Sequence, residues 1–259
     1  MKGERVNSNE SDVQTLGVFA LLGFAFAVIA FAPATLGAAI LKRVSPLASV
    51  SGAEGNIWQG RLKGLSYNGV LVGDIDYSLK PLQLILGRVA LEARSSNGAI
   101  LGAAKISISS GALEISDARA EFNLGAIRRY TFFGVPYQGL AMLKAKRLKL
   151  TQSGCEVSEA SLSTTALEAL SRRWSGGPFP MSGPIECSDG VMIVDLGGGG
   201  ADGAASIEIT LRPDFTYSMR VAAEPTEKNV GQALRLFGFE DDGKVLSYEA
   251  AGVLKGLSS

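Results

Sequence analysis

The sequence predicts an all-β protein, mostly antiparallel, a curved sheet or sandwich-like fold with a few short helices, preceded by one amino-terminal transmembrane helix. Three observations predict it. Beyond about Ser45, apolar and polar residues alternate with the period of a half-buried strand. Turn-forming dipeptides punctuate the alternating runs at short intervals. Ahead of them lies a run from Val13 to Leu41 with no charged residue.

Within that run Leu16 to Ile40 is 25 residues, roughly 37 Å of helix at ~1.5 Å per residue. A hydrocarbon core needs about 20 residues, so the segment can span with some tilt. Pro33 kinks such a helix or ends its lipid-buried part, because proline removes a helical hydrogen bond. A cleaved signal peptide is the competing reading, with Lys2 and Arg5 as its basic region and Ala30-Phe31-Ala32 as its cleavage site. Glu4, Glu10 and Asp12 in the leader and Pro33 after the site argue for an uncleaved anchor. Lys2 and Arg5 on one side balance Lys42 and Arg43 on the other, so the positive-inside count does not choose an orientation. The expected organisation is a short cytoplasmic tail over 1–15, a transmembrane helix over 16–40 and a periplasmic β-rich domain over 41–259. Gly139 restarts a meander, which leaves open two lobes meeting near residues 130–150.

Ile106-Ser107-Ile108-Ser109, Leu113-Glu114-Ile115-Ser116, Leu148-Lys149-Leu150 and Ile207-Glu208-Ile209-Thr210-Leu211 each bury one face and wet the other. Asn68-Gly69, Asn97-Gly98, Ser110-Gly111, Ser153-Gly154, Asp189-Gly190 and Pro213-Asp214 supply the turns. About ten to twelve strands are expected from this pattern. Helical spacing interrupts it over Leu124–Tyr130, Ala166–Trp174 and Lys228–Phe237, read as packing elements at the sheet's ends. Gly197 to Gly203 reads as a loop between strands.

Composition removes much chemistry. Lys+Arg and Asp+Glu number 25 each, so no net charge draws the chain to nucleic acid. There is no histidine, which excludes Ser-His and Cys-His nucleophile pairs and His-containing zinc sites. Cys155 and Cys187 are too few for a tetrathiolate metal site. In an extracytoplasmic domain they most simply make one disulfide, and because the anchor supplies a route across the membrane a Cys155–Cys187 disulfide is expected over the two separate buried thiols of a cytosolic domain.

Apparent motifs fail in context. Gly238 to Lys244 has phosphate-loop spacing, but Val245 stands where the hydroxyl belongs and three carboxylates lie inside. Gly198 to Gly203 matches a dinucleotide fingerprint but leads into the strand-like Ala204–Leu211 instead of a helix. Asp74 and Asp76, which share a face of an expected strand, read as its solvated edge, and neither they nor Asp241 with Asp242 are read as catalytic carboxylates. Lys144 and Lys146 should point one way and Arg147 and Lys149 the other, which gives no one-sided basic patch. No catalytic, cofactor-binding or metal-binding residue is assigned.

An ordered set of short motifs resembles a known family. Gly55-Asn56-Ile57-Trp58-Gln59-Gly60 is similar to the G-x-[aliphatic]-W-x-G signature of type II secretion system protein N. Asp76-Tyr77-Ser78-Leu79-Lys80-Pro81 with Leu84-Ile85-Leu86-Gly87 resembles that family's aromatic-x-leucine-x-proline segment, with Tyr77 where tryptophan is common. Cys155 and Cys187 stand where members often carry a cysteine pair, and Leu236-Phe237-Gly238, Asp242-Gly243 and Gly252-Val253-Leu254 resemble its closing pattern. The resemblance implies an inner-membrane accessory component of the machine that exports folded proteins. Its partners would be other secretion components: the inner-membrane platform, the secretin or the pseudopilins. It brings no enzyme activity, cofactor, nucleic acid or small-molecule substrate.

Gly55, Trp58, Gly60, Tyr77 and Pro81 are then a structural signature, with the Trp58 ring expected to anchor the first strand in the core. Exposed strand edges and apolar patches would meet partners, and Gly23 and Ala27 could let another helix approach. The alternatives are an AsmA-type lipid-handling protein with an apolar β groove and a carboxylate-based periplasmic enzyme.

Overall fold

A computed structural model describes residues 30–126, 131–132, 135–136, 138–168, 171–172, 177–243 and 245–253. Helix α1 (Ala34–Val44) leads into β1 (Ala48–Ser49), β2 (Gly52–Gly55), β3 (Gln59–Tyr67) and β4 (Val70–Leu79). The short helix α2 (Pro81–Ile85) connects to β5 (Val89–Ser95), β6 (Ile100–Ser109) and β7 (Ala112–Asn123). A 3-10 turn at Leu124–Ala126 precedes the two-residue strands β8 (Thr131–Phe132) and β9 (Val135–Pro136), which pair with each other. The meander resumes with β10 (Leu140–Thr151), β11 (Gly154–Thr164), β12 (Met181–Ser188), β13 (Val191–Gly200), β14 (Gly203–Leu211) and β15 (Thr216–Pro225). Helix α3 (Lys228–Leu236), β16 (Glu240–Asp241) and β17 (Leu246–Val253) complete it.

All strands but β8 and β9 join one 15-stranded sheet, and every pairing in it is antiparallel. The all-β antiparallel expectation therefore holds. There are more strands than the alternation suggested, because two-residue pieces such as β1 and β16 are too short to show a period. β10 pairs with β7 from Leu140↔Asn123 to Thr151↔Ala112, so the chain restarting at Gly139 returns to the same sheet.

Of the expected spanning segment, residues 16–29 lie outside the described residues. Its remainder is not one helix: Pro33 bridges to Asn56, and α1 begins anew at Ala34. Among the described residues no helix is long and apolar enough to cross a membrane. α1 packs along the sheet edge against β1, β2 and β3.

Directly paired residues share a face, and the faces differ completely. One face carries Leu79↔Leu91, Leu91↔Ile106, Ile106↔Ile115 and Ile115↔Leu148, then Ile185↔Val194, Val194↔Ile209 and Ile209↔Met219. The other carries Arg61↔Asp76, Asp76↔Arg94 and Glu92↔Lys105, then Asp195↔Glu208, Glu208↔Arg220 and Arg220↔Glu249.

The apolar face is covered in the carboxy-terminal half. Phe179, Met181, Ile185, Val194 and Leu196 form one buried cluster against Leu167 and Leu162. Val230 and Leu234 of α3 close a second over Val221, Phe239 and Leu246. As expected, α3 is the helix at 228–237. Of the other two helical expectations, Leu124–Tyr130 shows only the 3-10 turn, with 127–130 outside the described residues. Ala166–Trp174 is helical at Glu168, Ser171 and Arg172 among its described residues. Over β3 to β7 the apolar face is only half-buried, at Leu62, Ile75, Leu91, Ile106 and Ile115.

Gly197–Gly203 is a correction: the glycines up to Gly200 belong to β13, and only Ala201 and Asp202 turn. Their lack of side chains lets a neighbouring segment approach, since a Cβ on Gly198 would lie 2.1 Å from the Pro180 carbonyl oxygen.

Candidate functional site

In an antiparallel meander alternate connections fall at the same end of the sheet. One end, the lower end, therefore collects the β2–β3 turn, the β4–β5 connection with α2, and the turns after β6, β10, β12 and β14. The segment 30–33, within the apolar run, joins the same end through Asn56, Ile57 and Trp58.

All five signature residues gather there. Asn56 accepts the N–H groups of Trp58 and Gln59 on its side-chain oxygen, each at 2.9 Å, which fixes a tight turn between β2 and β3. Gly55 holds φ at 89°, and a Cβ on Gly60 would come 2.3 Å from the Glu54 carbonyl oxygen. The Tyr77 ring covers Gly60 and its hydroxyl donates to the Asn56 carbonyl at 2.8 Å. Partial burial raises the Tyr77 phenol above its ordinary pKa. Pro81 opens α2 at its first position, where the missing N–H costs nothing.

Trp58 departs from the expectation of a core anchor. It lies in the turn, half-buried, and its indole N–H donates to the Ala30 carbonyl at 3.1 Å. Ile57 N–H donates to the Ala32 carbonyl at 2.8 Å, and Leu79 N–H donates to the Trp58 carbonyl at 2.6 Å. The signature is thus a clasp that holds Ala30 and Ala32, within the apolar run, against the first strands. The sequence signal for it was Asn56 within the Gly55–Gly60 motif, but nothing local points to Ala30 and Ala32. Trp58→Phe keeps an aromatic ring, though a smaller one, and removes the donor to the Ala30 carbonyl, so a loss of about 1 kcal/mol is expected. Trp58→Ala should cost ~2–3 kcal/mol, at the low end for large aromatics because the ring is half-exposed. Melting midpoints of the two variants against wild type check both values.

The polar face neutralises its own charges. Arg61 bonds Asp76 at 2.6 and 3.1 Å, Lys105 bonds Asp117 at 2.8 Å, and Arg147 bonds Glu114 at 2.9 Å. The basic strand is a correction. A bulge between Ala145 and Arg147 puts Lys144, Arg147 and Lys149 on one face, opposite Arg119, Ser116 and Glu114. Lys146 pairs with Glu159 at 2.7 Å and Lys149 with Glu156, so partners, not opposed directions, dissipate the patch.

Asp74 and Asp76 are also re-placed: β4 lies between β3 and β5, not at an edge. The Gly64 N–H and the Asn97 amide hold the Asp74 carboxyl below its usual pKa, and the Arg61 guanidinium does the same for Asp76. Hydrogen bonds from Lys80, Lys105 and Lys146 likewise lower Glu92, Asp117 and Glu159. Depressed carboxylates stabilise the fold above their unfolded pKa and lose that contribution as pH falls through the folded value. The melting temperature should therefore fall once pH drops below about 4, and less steeply in Asp76→Asn. Thermal scans between neutral and acid pH check this.

Among the described residues, no catalytic constellation assembles at the lower end or on the polar face. Asp202 is the carboxylate in the small apolar pocket beside α3, and it accepts from Ser171 at 2.6 Å. No cluster able to hold a metal ion occurs among the described residues.

The comparisons agree with the geometry. Residues 46–247, more than three quarters of the chain, match the family described as type II secretion system (T2SS), protein N. The chain is 21% identical over 183 residues to a protein named type II secretion system protein N from Vibrio cholerae serotype O1, covering 68% of this chain and 72% of that one. No solved structure matches. The matched span runs from just before β1 to the first residues of β17, and it places this chain in the type II secretion system protein N family.

Proposed function

We propose that the protein is an inner-membrane-tethered accessory component of type II secretion whose sheet stands in the periplasm as a scaffold or adaptor. Family membership carries the reading. Two features of the chain support its details. The clasp at Trp58 binds the sheet to Ala30 and Ala32 within the uncharged apolar run, as a tethered domain requires. A Cys155–Cys187 disulfide suits an oxidising compartment. The work is done by contact surfaces: β16 is a two-residue terminal strand, short enough to leave backbone groups of β17 for strand addition.

Affinity capture of the full chain from cross-linked membranes tests the proposal. Recovery of the inner-membrane platform, the secretin or pseudopilins is expected. Recovery of lipid-pathway proteins alone would contradict it.

A further inference from the structure

The lower end also carries exposed apolar side chains. Phe31, Leu82, Ile85 and Leu86 are 82%, 75%, 82% and 71% exposed. Val89 pairs with Ile108, and both are exposed, so the surface passes from α2 onto the sheet without a break. From there it continues inward as an open cavity of about 480 Å³ lined by Ile108, Leu113, Leu150, Met192, Leu211 and Phe215. Ile108 on β6 and Phe215 beyond β14 face the same space, so the sheet's curvature brings its two halves together here. The volume is within the ~300–1,000 Å³ of ordinary ligand sites. An apolar surface of this extent marks an interaction site, not ordinary solvent contact.

Three observations name the occupant. The uncharged apolar run from Val13 to Leu41 passes through Ala30, whose carbonyl the Trp58 indole holds at this same end. The connection from Pro81 to Val89 contains no acidic residue and one base, Arg88, among four large aliphatic side chains and Val89. Arg212 lines the cavity beside the β14–β15 turn, where an anionic headgroup would meet it. Apolar rim, apolar interior and a basic residue at the mouth describe a phospholipid presented by a bilayer.

We propose that this cavity takes one acyl chain of a membrane phospholipid, with α2 seated in the bilayer interface and Arg212 turned to the headgroup. The site gives the lipid-handling alternative a definite place, and it neither needs nor excludes the scaffold role.

The test reconstitutes the full chain in phosphatidylethanolamine–phosphatidylglycerol vesicles that contain a phosphatidylcholine with a photoreactive diazirine near the end of one acyl chain. After illumination the labelled peptides are mapped. Label on residues 106–115, 148–155 and 207–215 is expected. It should fall several-fold in Leu113→Arg and stay unchanged in Glu114→Arg, whose side chain points to the polar face. If Leu113→Arg loses its circular-dichroism signature, Ile108→Asp at an exposed position replaces it. Label confined to 13–41 and 81–89, no label, or equal labelling in the lining variant overturns the proposal. Such an outcome leaves the secretion reading standing, because capture of secretion components is measured separately.

Discussion

Replacing both cysteines, Cys155→Ser with Cys187→Ser, is expected to cost about 3–4 kcal/mol of stability in the chain-entropy model. The cross-link closes a loop of sequence separation 32, long enough for a sizeable restriction of the unfolded chain. Its place in the sheet adds a native-state reason. β11 and β12 pair only from Ala160↔Ile185 to Thr164↔Met181, at the upper end. Towards the lower end that ladder stops, and Cys155 and Cys187 hold the two strands together with Cα atoms 5.3 Å apart. Cys155 also bonds through its N–H to the Gly190 carbonyl at 2.8 Å, so the link ties the β10–β11 and β12–β13 turns into one corner. For a chain of this size the loss corresponds to a melting temperature lower by roughly 6–16 °C. Calorimetry of the non-reduced wild type against the double variant reads it. Equal midpoints would mean that the corner is held without the link.

Met181→Ala should destabilise by ~2–5 kcal/mol, the range for removing a large apolar side chain from a packed core. Met181 is 1% exposed and lies between Thr164 on β11 and Gly198 on β13, in the cluster with Phe179 and Leu196. The flat backbone of Gly198 on one side cannot fill the space left behind. Met181→Leu keeps the volume and should cost less than ~1.5 kcal/mol. Met142→Ala is the control: it lies on the charged face opposite Glu121, 39% exposed, and should stay within about ±0.5 kcal/mol. Chemical denaturation of the three variants tests the ordering, which fails if Met142→Ala is as damaging as Met181→Ala.

The strands were legible because burial of one face forces a period of two, and Ile106–Ser109 or Ile207–Leu211 show nothing else. The turns were legible for a similar reason. Asn68 and Asp189 carry positive φ at 49° and 51°, a conformation that selects their residue types and the glycines that follow. The bulge at Lys146 and Asp117 was not legible, since one extra residue reverses the facing of all that follow and no local pattern announces it. The glycines of β13 misled because their reason is distant: a segment from another connection lies against them.

The candidate site divides the same way. Gly55, Trp58, Gly60, Tyr77 and Pro81 could be listed from the sequence, yet their joint position depends on antiparallel register across β2, β3 and β4. The cavity was invisible from sequence, because it depends on how far fifteen strands curl and on which connections share an end.

A tethered scaffold requires the sheet to stand outside the cytoplasm, held through the clasp at Trp58. Paired reporter fusions after Ser259, expressed in a host with a type II system, test this directly. Alkaline phosphatase, which matures only in an oxidising compartment, should be active there, and β-galactosidase should not. The opposite pair of activities would put the sheet in the cytoplasm and contradict the tethered scaffold.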